Sequence, residues 1–168
     1  LIAKNKYAAQ QLERQRANHT LSRVYLALAE GHWTNQSKSG LIDRPIEKVP
    51  ECFNRYQVAD TGRPSRTEYE VLSEFTYEET PFSLVRLKLQ TGRTHQIRVH
   101  MASLSHPLLG DSIYGHEGFL GFDRAALHSF EITCQLPGHQ DLAVFSSEMP
   151  EDFQKMIAKS INFSSTLI

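Results

Sequence analysis

The sequence has few of the features that mark several common classes of protein. It holds two cysteines, Cys52 and Cys134, in 168 residues, too few for a disulfide framework or a four-thiolate zinc site. No apolar run approaches the roughly 20 residues that a transmembrane helix needs, and no secretory apolar segment stands at the start. These absences favour a reducing setting, and we expect a cytoplasmic protein without a membrane contact.

Several catalytic signatures are missing as well. The sequence contains neither a nucleophile elbow of the serine hydrolases nor a glycine-rich nucleotide loop. His95 and His100 are five positions apart, which puts them on different sides of a helix, and no cysteine or acid completes a metal site. We therefore expect no metal and no cofactor.

Charge is unevenly distributed along a chain whose net charge is −1. Residues 81–110 contain no acid but hold four Lys or Arg and three His, whereas residues 68–79 hold five glutamates. Such asymmetry can build a basic face that attracts phosphates. Dispersed, solvated charges are the alternative, and composition alone does not decide between them.

The hydrophobic periodicity predicts one α+β domain over residues 1–168. Strands joined mostly by turns, with helices at intervals, indicate a largely antiparallel mixed β-sheet with flanking helices. An exposed connection is expected over 52–66. The predicted helices are 6–18, 94–104 and 151–159, and the predicted strands are 21–31, 66–75, 82–90, 127–136 and 141–146.

The stretch LKLQTGRTHQIRVHM, residues 87–101, is typical of a strand, a tight turn and a helix start. Gly92 can adopt a positive φ and so allow the reversal. Thr91 or Thr94 can cap the helix, whose free N–H groups then face outward. A helix start with cations beside it suits an anion such as a phosphate or a carboxylate.

Arg98 and Tyr25 each allow two interpretations. Arg98 falls at the margin of the apolar stripe of its helix, where a partly buried guanidinium needs an acidic partner. No acid lies close by in sequence, so the partner comes either from elsewhere in the fold, as in a structural ion pair with one of the glutamates, or from outside this chain. Tyr25 shares a strand face with Ala27 and Ala29, where its ring either fills a core gap or floors a cavity for a flat ligand.

Taken together, GRTHQIRVHMASLSHPLLGDSIYG (residues 92–115) closely resembles the pseudouridine synthases of the large-ribosomal-subunit type, which isomerise uridine in RNA. Four weaker segments, SRVYLALAEG, GLIDRPIEK, ADTGRPSRTEYEVL and RAALHSFEITCQLPG, resemble other parts of that family in the same order. The resemblance covers nearly the whole chain. It implies a pseudouridine synthase catalytic domain that acts on ribosomal or transfer RNA.

The resemblance also implies roles for particular residues. Tyr25 would pack against the target base, Arg98 would pair with the catalytic aspartate, and Leu127 would line the pocket. Because an opposite charge favours the carboxylate form, Arg98 would keep that aspartate ionised and oriented. The expected RNA-binding residues are Arg93, Thr94, His95, Gln96, Arg23 and Lys4.

One departure from the family pattern concerns the aspartate itself. The family carries it in an Arg-Leu-Asp motif followed by Thr-Ser-Gly, before a strand that ends in Ala-Lys. The opening LIAKN resembles the end of that strand. No aspartate of this sequence stands in a motif that matches the catalytic one. Asp111, in LLGDSIYG, matches a family position outside that motif. We therefore expect an N-terminally incomplete, monomeric domain, inactive by itself, from an RNA-modifying isomerase. The alternatives are a catalytically silent RNA-binding module and an α+β scaffold without RNA affinity.

Overall fold

The computed structural model describes the backbone of residues 1–166 and the side chains of residues 1–161. Long elements form where the sequence has clear periodicity, and short ones where it has little. The elements are α1 (Lys6–Ala17), β1 (Ser22–Glu30), β2 (Ser39–Asp43), β3 (Ile46–Lys48), β4 (Tyr56–Val58), β5 (Arg66–Tyr77), β6 (Thr80–Leu89), α2 (Gln96–Ser103), β7 (Leu127–Gln135), β8 (Leu142–Ser146) and α3 (Glu151–Thr166).

Six of the strands form one sheet in the order β2-β5-β6-β1-β7-β8, and β3 and β4 form a separate hairpin. Each strand pair in the described residues is antiparallel. Two pairs of the six-stranded sheet, β5–β6 and β7–β8, are consecutive along the chain, whereas β1 pairs with β6 and β7 and β2 pairs with β5 through longer connections. The predicted α+β class is confirmed.

The central strand β1 separates two hydrophobic cores. Leu26 and Leu28 point to one side, where α3 packs with Phe153. Ala27 and Ala29 point to the other side, where α2 packs. This division follows from the two-residue alternation of side chains along a strand. The two alanines leave room on their side of the sheet, and Tyr25 packs against the edge of that core.

Three short strands were not expected from the sequence. The predicted connection over 52–66 contains β4, which pairs with β3, and no strand was predicted over the range of β2. β3 and β4 have three residues each, which is too short for a periodic pattern. β2 buries Ile42 alone, so it offers little hydrophobic signal. The hairpin of β3 and β4 packs on α2 and becomes part of the surroundings of the site.

Replacing Phe153 by alanine is expected to lower the free energy of unfolding by about 3–5 kcal/mol, the usual cost of emptying a buried phenylalanine site. The Phe153 side chain is fully buried between α3 and the sheet. Urea unfolding followed by circular dichroism measures the change. Lys155→Ala, at an exposed position of the same helix, is the control and should change stability by less than about 0.5 kcal/mol. An equal loss in both variants would contradict the packing described here.

Candidate active site

A cavity of about 220 Å³ lies where the sheet meets the start of α2. The three residues with implied catalytic roles, Tyr25, Arg98 and Leu127, all line it, although they come from β1, α2 and β7. The end of β6, the turn before α2 and the first residues of α2 supply the rest of the lining. The full lining is Tyr25, Leu89, Arg93, His95, Gln96, Ile97, Arg98 and Leu127.

Strand pairing explains why Tyr25 and Leu127 meet. Ala27 lies opposite Leu127, and Tyr25 lies opposite Ser129 in the antiparallel β1–β7 pair. Residues directly opposite share a sheet face, so Leu127 lies on the face of Tyr25. The register shifts between Val24 and Tyr25, and such irregularities re-aim side chains beside sites. The half-buried Tyr25 ring therefore packs against the core and also lines the cavity. Stacking of a flat ligand on this ring stays a prediction.

Arg98 forms a bidentate ion pair with Asp111. Its Nε donates to Oδ2 at 2.7 Å, and its Nη2 donates to Oδ1 at 2.5 Å. The side chains are 17% and 0% exposed, respectively. The prediction that Arg98 is partly buried and paired with an acid is confirmed. The partner comes from elsewhere in the fold, as one of the two expectations had it, but it is Asp111 and not one of the glutamates.

The ion pair is held in its charged form by its surroundings. Burial alone would raise the pKa of Asp111. Hydrogen bonds from Arg98 and from the backbone N–H groups of Ile113 and Tyr114 outweigh this effect, so the pKa lies below its usual value. The hydrogen bond to Asp111 raises the pKa of Arg98. The guanidinium also lies over the Tyr114 ring, 5.0 Å from its centroid, a cation–π arrangement. The guanidinium is thereby fixed at the cavity wall.

His95 occupies a strained position between the cavity and the hairpin. Its φ is 55°, in the left-handed region that few non-glycine residues adopt. Its Nδ1 lies 3.1 Å from the Tyr114 hydroxyl oxygen, which accepts the backbone N–H of Tyr56 at 2.9 Å. Burial lowers the pKa of His95, and the charge of Arg98 lowers it further. The imidazole is therefore neutral at neutral pH, and the hydroxyl can donate to Nδ1.

Gln96 anchors the turn and has no spare hydrogen-bonding capacity. Its Oε1 accepts from the Thr91 hydroxyl and the Arg93 backbone N–H, and its Nε2 donates to the Arg66 carbonyl and the Thr67 hydroxyl. These bonds use both lone pairs and both amide hydrogens of a side chain that is 2% exposed. Gln96 thus positions the turn; contact between Gln96 and RNA stays a prediction.

Two details of the turn differ from expectation. Gly92 is not among the residues with positive φ, and His95 makes the left-handed step instead. Neither Thr91 nor Thr94 caps α2; His95 is the N-cap residue, without a side-chain bond to the helix. A Cβ at Gly92 would lie 2.9 Å from Nη1 of Arg23. The glycine thus serves no unusual backbone angle, and the guanidinium, at the far end of a flexible side chain, can shift to accommodate a Cβ.

The other expected RNA-binding residues lie around the cavity or apart from it. Arg93 lines the cavity, and Thr94 lines a neighbouring groove. Arg23 lines a separate cleft of about 590 Å³ and donates to the Thr91 carbonyl at 3.1 Å. Lys4 is exposed ahead of α1 and is not among the lining residues of the cavity. The structure thus gathers Arg93 and His95 at the cavity and leaves Lys4 away from it.

The described residues offer neither a metal site nor a membrane-spanning helix. No group of three or more His, Cys, Asp or Glu side chains there is arranged to hold a metal ion. None of the helices in that part of the chain has the length and apolar character needed to cross a bilayer.

The sequence is similar to known RNA-modifying enzymes. The family model described as RNA pseudouridylate synthase matches residues 1–103. Ribosomal large subunit pseudouridine synthase D of Nitrosomonas europaea is 35% identical, over 94% of this chain and 46% of its own length. An uncharacterized RNA pseudouridine synthase, YhcT of Bacillus subtilis, is 38% identical, over 93% of this chain and 50% of its own length. The chain thus spans about half the length of these relatives.

Solved structures show the same likeness. Human RNA pseudouridylate synthase domain containing 1 superposes with a TM-score of 0.71 and 30% identity, over 87% of this chain and 62% of that chain. Human RNA pseudouridylate synthase domain containing 4 gives a TM-score of 0.69 at 19% identity, over 92% and 68%. The second match supports the fold alone.

Asp111→Asn is expected to lower the free energy of unfolding by about 3–5 kcal/mol, because it leaves a partly buried guanidinium without its anion. The double variant Arg98→Met/Asp111→Leu removes both charges, so its loss in free energy of unfolding should be clearly smaller than that of Asp111→Asn. Urea unfolding of the three proteins tests this. If Asp111→Asn were as stable as the native protein, the ion pair would not hold the site together.

The stability difference between the native protein and Asp111→Asn should depend on pH. The folded-state pKa of Asp111 is lowered, so the stabilisation is fully present above its unfolded pKa of about 3.9. It should disappear as the pH falls through the lower folded value. Urea midpoints between neutral and strongly acidic pH measure the difference. A difference that did not change with pH would contradict an ionised Asp111.

Proposed function

Because the chain belongs to the RNA pseudouridylate synthase family, we propose that the protein isomerises uridine to pseudouridine in ribosomal or transfer RNA. We also propose that the catalytic aspartate comes from outside these 168 residues, since no aspartate here stands in the family's catalytic motif. We further propose that the protein acts as a monomer in the cytoplasm; the two unpaired cysteines, one exposed and one buried, fit a reducing compartment.

The observation that carries the proposal is the convergence of Tyr25, Arg98 and Leu127 on one cavity. Its volume of about 220 Å³ is below the roughly 300–1,000 Å³ of pockets for drug-sized ligands. A single flat base is a ligand of suitable size. Tyr25 offers a ring for stacking, and Leu127 offers an apolar wall. A uridine that leaves its stack at a cost of a few kcal/mol would recover part of that cost here.

The reaction needs a carboxylate and a held base. The C1′–N1 bond breaks, the uracil turns, and a C1′–C5 bond forms; C5 loses its hydrogen as a proton, and N1 regains one. In this scheme Arg98 orients the carboxylate. Asp111 uses Nε and Nη2 of the guanidinium, which leaves Nη1 as the nitrogen for a second carboxylate. The charge of Arg98 is then shared between two anions, so fixed geometry matters more than a lowered pKa.

A catalytically silent RNA-binding module is the second candidate. An Arg-Leu-Asp motif in the full-length protein would favour the isomerase, and its absence from the gene would favour this module. It predicts RNA binding without isomerisation by the full-length protein.

Release of tritium from RNA labelled at C5 of uridine measures the reaction directly, because the new C1′–C5 bond displaces that hydrogen. The full-length protein should release it. Tyr25→Ala should lower kcat/KM by about 5–150-fold, the equivalent of the 1–3 kcal/mol that stacking on one base provides. Tyr25→Phe keeps the ring, so its kcat/KM should fall less than that of Tyr25→Ala.

Tyr7→Ala, at an exposed position on α1, is the matched control and should retain native activity. Lack of tritium release by the native full-length protein, together with RNA binding, would support the silent module. Native activity in Tyr25→Ala would remove the role given to that ring.

A further inference from the structure

A second recess, which we call the hairpin groove, lies beside the cavity. It has a volume of about 640 Å³ and runs between the β3–β4 hairpin and the turn before α2. Four cationic side chains and one carboxylate line it, so the groove is basic on a chain with a net charge of −1. Its lining is Arg16, Ile46, Glu47, Lys48, Tyr56, Thr61, Gly62, Arg63, Gly92, Arg93 and Thr94.

The hairpin groove opens directly onto the cavity. Arg93 lines both recesses. Tyr56, in the wall of the groove, meets the ring of His95 edge-on, with centroids 5.7 Å apart, and His95 lines the cavity. A chain whose one unit enters the cavity would therefore lay its next units in the groove.

Three of the four cations of the groove have no carboxylate partner among the described residues, whereas Arg16 pairs with Glu13 at 3.0 Å. Of the three, Arg93 also donates from Nε to the Pro64 carbonyl at 3.3 Å. Within the described residues, Lys48, Arg63 and Arg93 take part in no salt bridge. The single carboxylate, Glu47, is held within the hairpin region by hydrogen bonds from Thr61 and Gln57. Those bonds lower its pKa. Glu47 therefore stays an internal acceptor.

The groove has a fixed shape. Ile46 and Arg63 exchange two backbone hydrogen bonds, at 3.0 and 2.8 Å. A Cβ at Gly62 would lie 2.6 Å from the carbonyl carbon of Ile46, so only glycine allows this close approach. The hairpin is joined to the site by the hydrogen bond from Tyr56 N–H to the Tyr114 hydroxyl. The recess is thus preformed, which reduces the entropic cost of binding.

An aromatic residue stands at the tip of the same hairpin. Phe53 is 97% exposed between two residues with positive φ, Glu51 and Asn54. It lies three positions before Tyr56, which places it within about 11 Å of the groove wall along an extended chain. A basic groove that follows a backbone, combined with aromatic rings for bases, is the usual arrangement for single-stranded nucleic acid.

We propose that the hairpin groove binds the single strand of RNA adjoining the target nucleotide, with its phosphates on Lys48, Arg63 and Arg93 and a base on Phe53. The inference rests on the proposed function, since it takes RNA as the substrate. It adds Lys48, Arg63 and Phe53 to the residues expected to contact that RNA.

The proposal is tested with the full-length protein and a fluorescein-labelled RNA stem-loop that has a uridine in its loop. The binding affinity is measured across a series of salt concentrations. The double variant Lys48→Gln/Arg63→Gln should weaken binding. The slope of log affinity against log salt concentration should become shallower by about 1.4, because each lost phosphate contact removes about 0.7. Phe53→Ala should weaken binding by about 5–150-fold without changing that slope.

Lys155→Gln/Lys159→Gln removes the same charge from α3, which packs on the opposite side of the sheet, and should leave the slope unchanged. Urea unfolding confirms that the variants remain folded. A native slope in Lys48→Gln/Arg63→Gln, or an equal change in the control, overturns the proposal. Tritium release with an unchanged slope refutes the groove alone. A flattened slope without tritium release by the native protein supports the groove and refutes the isomerase.

Discussion

The ion pair between Arg98 and Asp111 is the constraint on which the candidate site depends. An arginine at the margin of a helix's apolar stripe is tolerated because a fully buried carboxylate meets two of its nitrogens. The same carboxylate accepts two backbone N–H groups and so fixes the loop that follows α2. Tyr114 of that loop packs its ring under the guanidinium and joins His95 to the hairpin. One charge pair thereby sets the cavity wall, the turn and the hairpin.

The sheet supplies the rest of the site through ordinary packing. β1 is the strand that both cores share, and its small residues Ala27 and Ala29 leave space on the side of α2. Gln96 holds the turn to the sheet with both lone pairs and both hydrogens of its side-chain amide. Rigid elements thus carry Tyr25, Arg98 and Leu127, and such support keeps functional groups in their geometry. Stability and candidate function depend on the same contacts here.

Much of this arrangement could be predicted from the sequence. The periodicity located the long helices and strands and placed Tyr25 on the alanine face of β1. The family motifs selected Tyr25, Arg98 and Leu127, which the fold brings to one cavity.

Other features depend on tertiary contacts that local patterns do not encode. The partner of Arg98 lies thirteen positions away across an irregular loop, whose path no periodicity describes. The sequence predicts the left-handed step at Gly92, but the structure has it at His95. Hydrogen bonds of Gln96 and Tyr114 hold the turn on either side of His95. β3 and β4 are too short to show a pattern, so the groove beside them was not foreseen.

The most direct test of the central claim is a crystal structure of the full-length protein bound to RNA that contains its target uridine. The account predicts the uracil out of its stack, in contact with the Tyr25 ring and Leu127, and a carboxylate from outside these 168 residues within hydrogen-bonding distance of Arg98. The Arg98–Asp111 ion pair should remain intact in that complex. A uridine bound elsewhere, or an Arg98 that leaves Asp111 and turns away from the cavity, would contradict it.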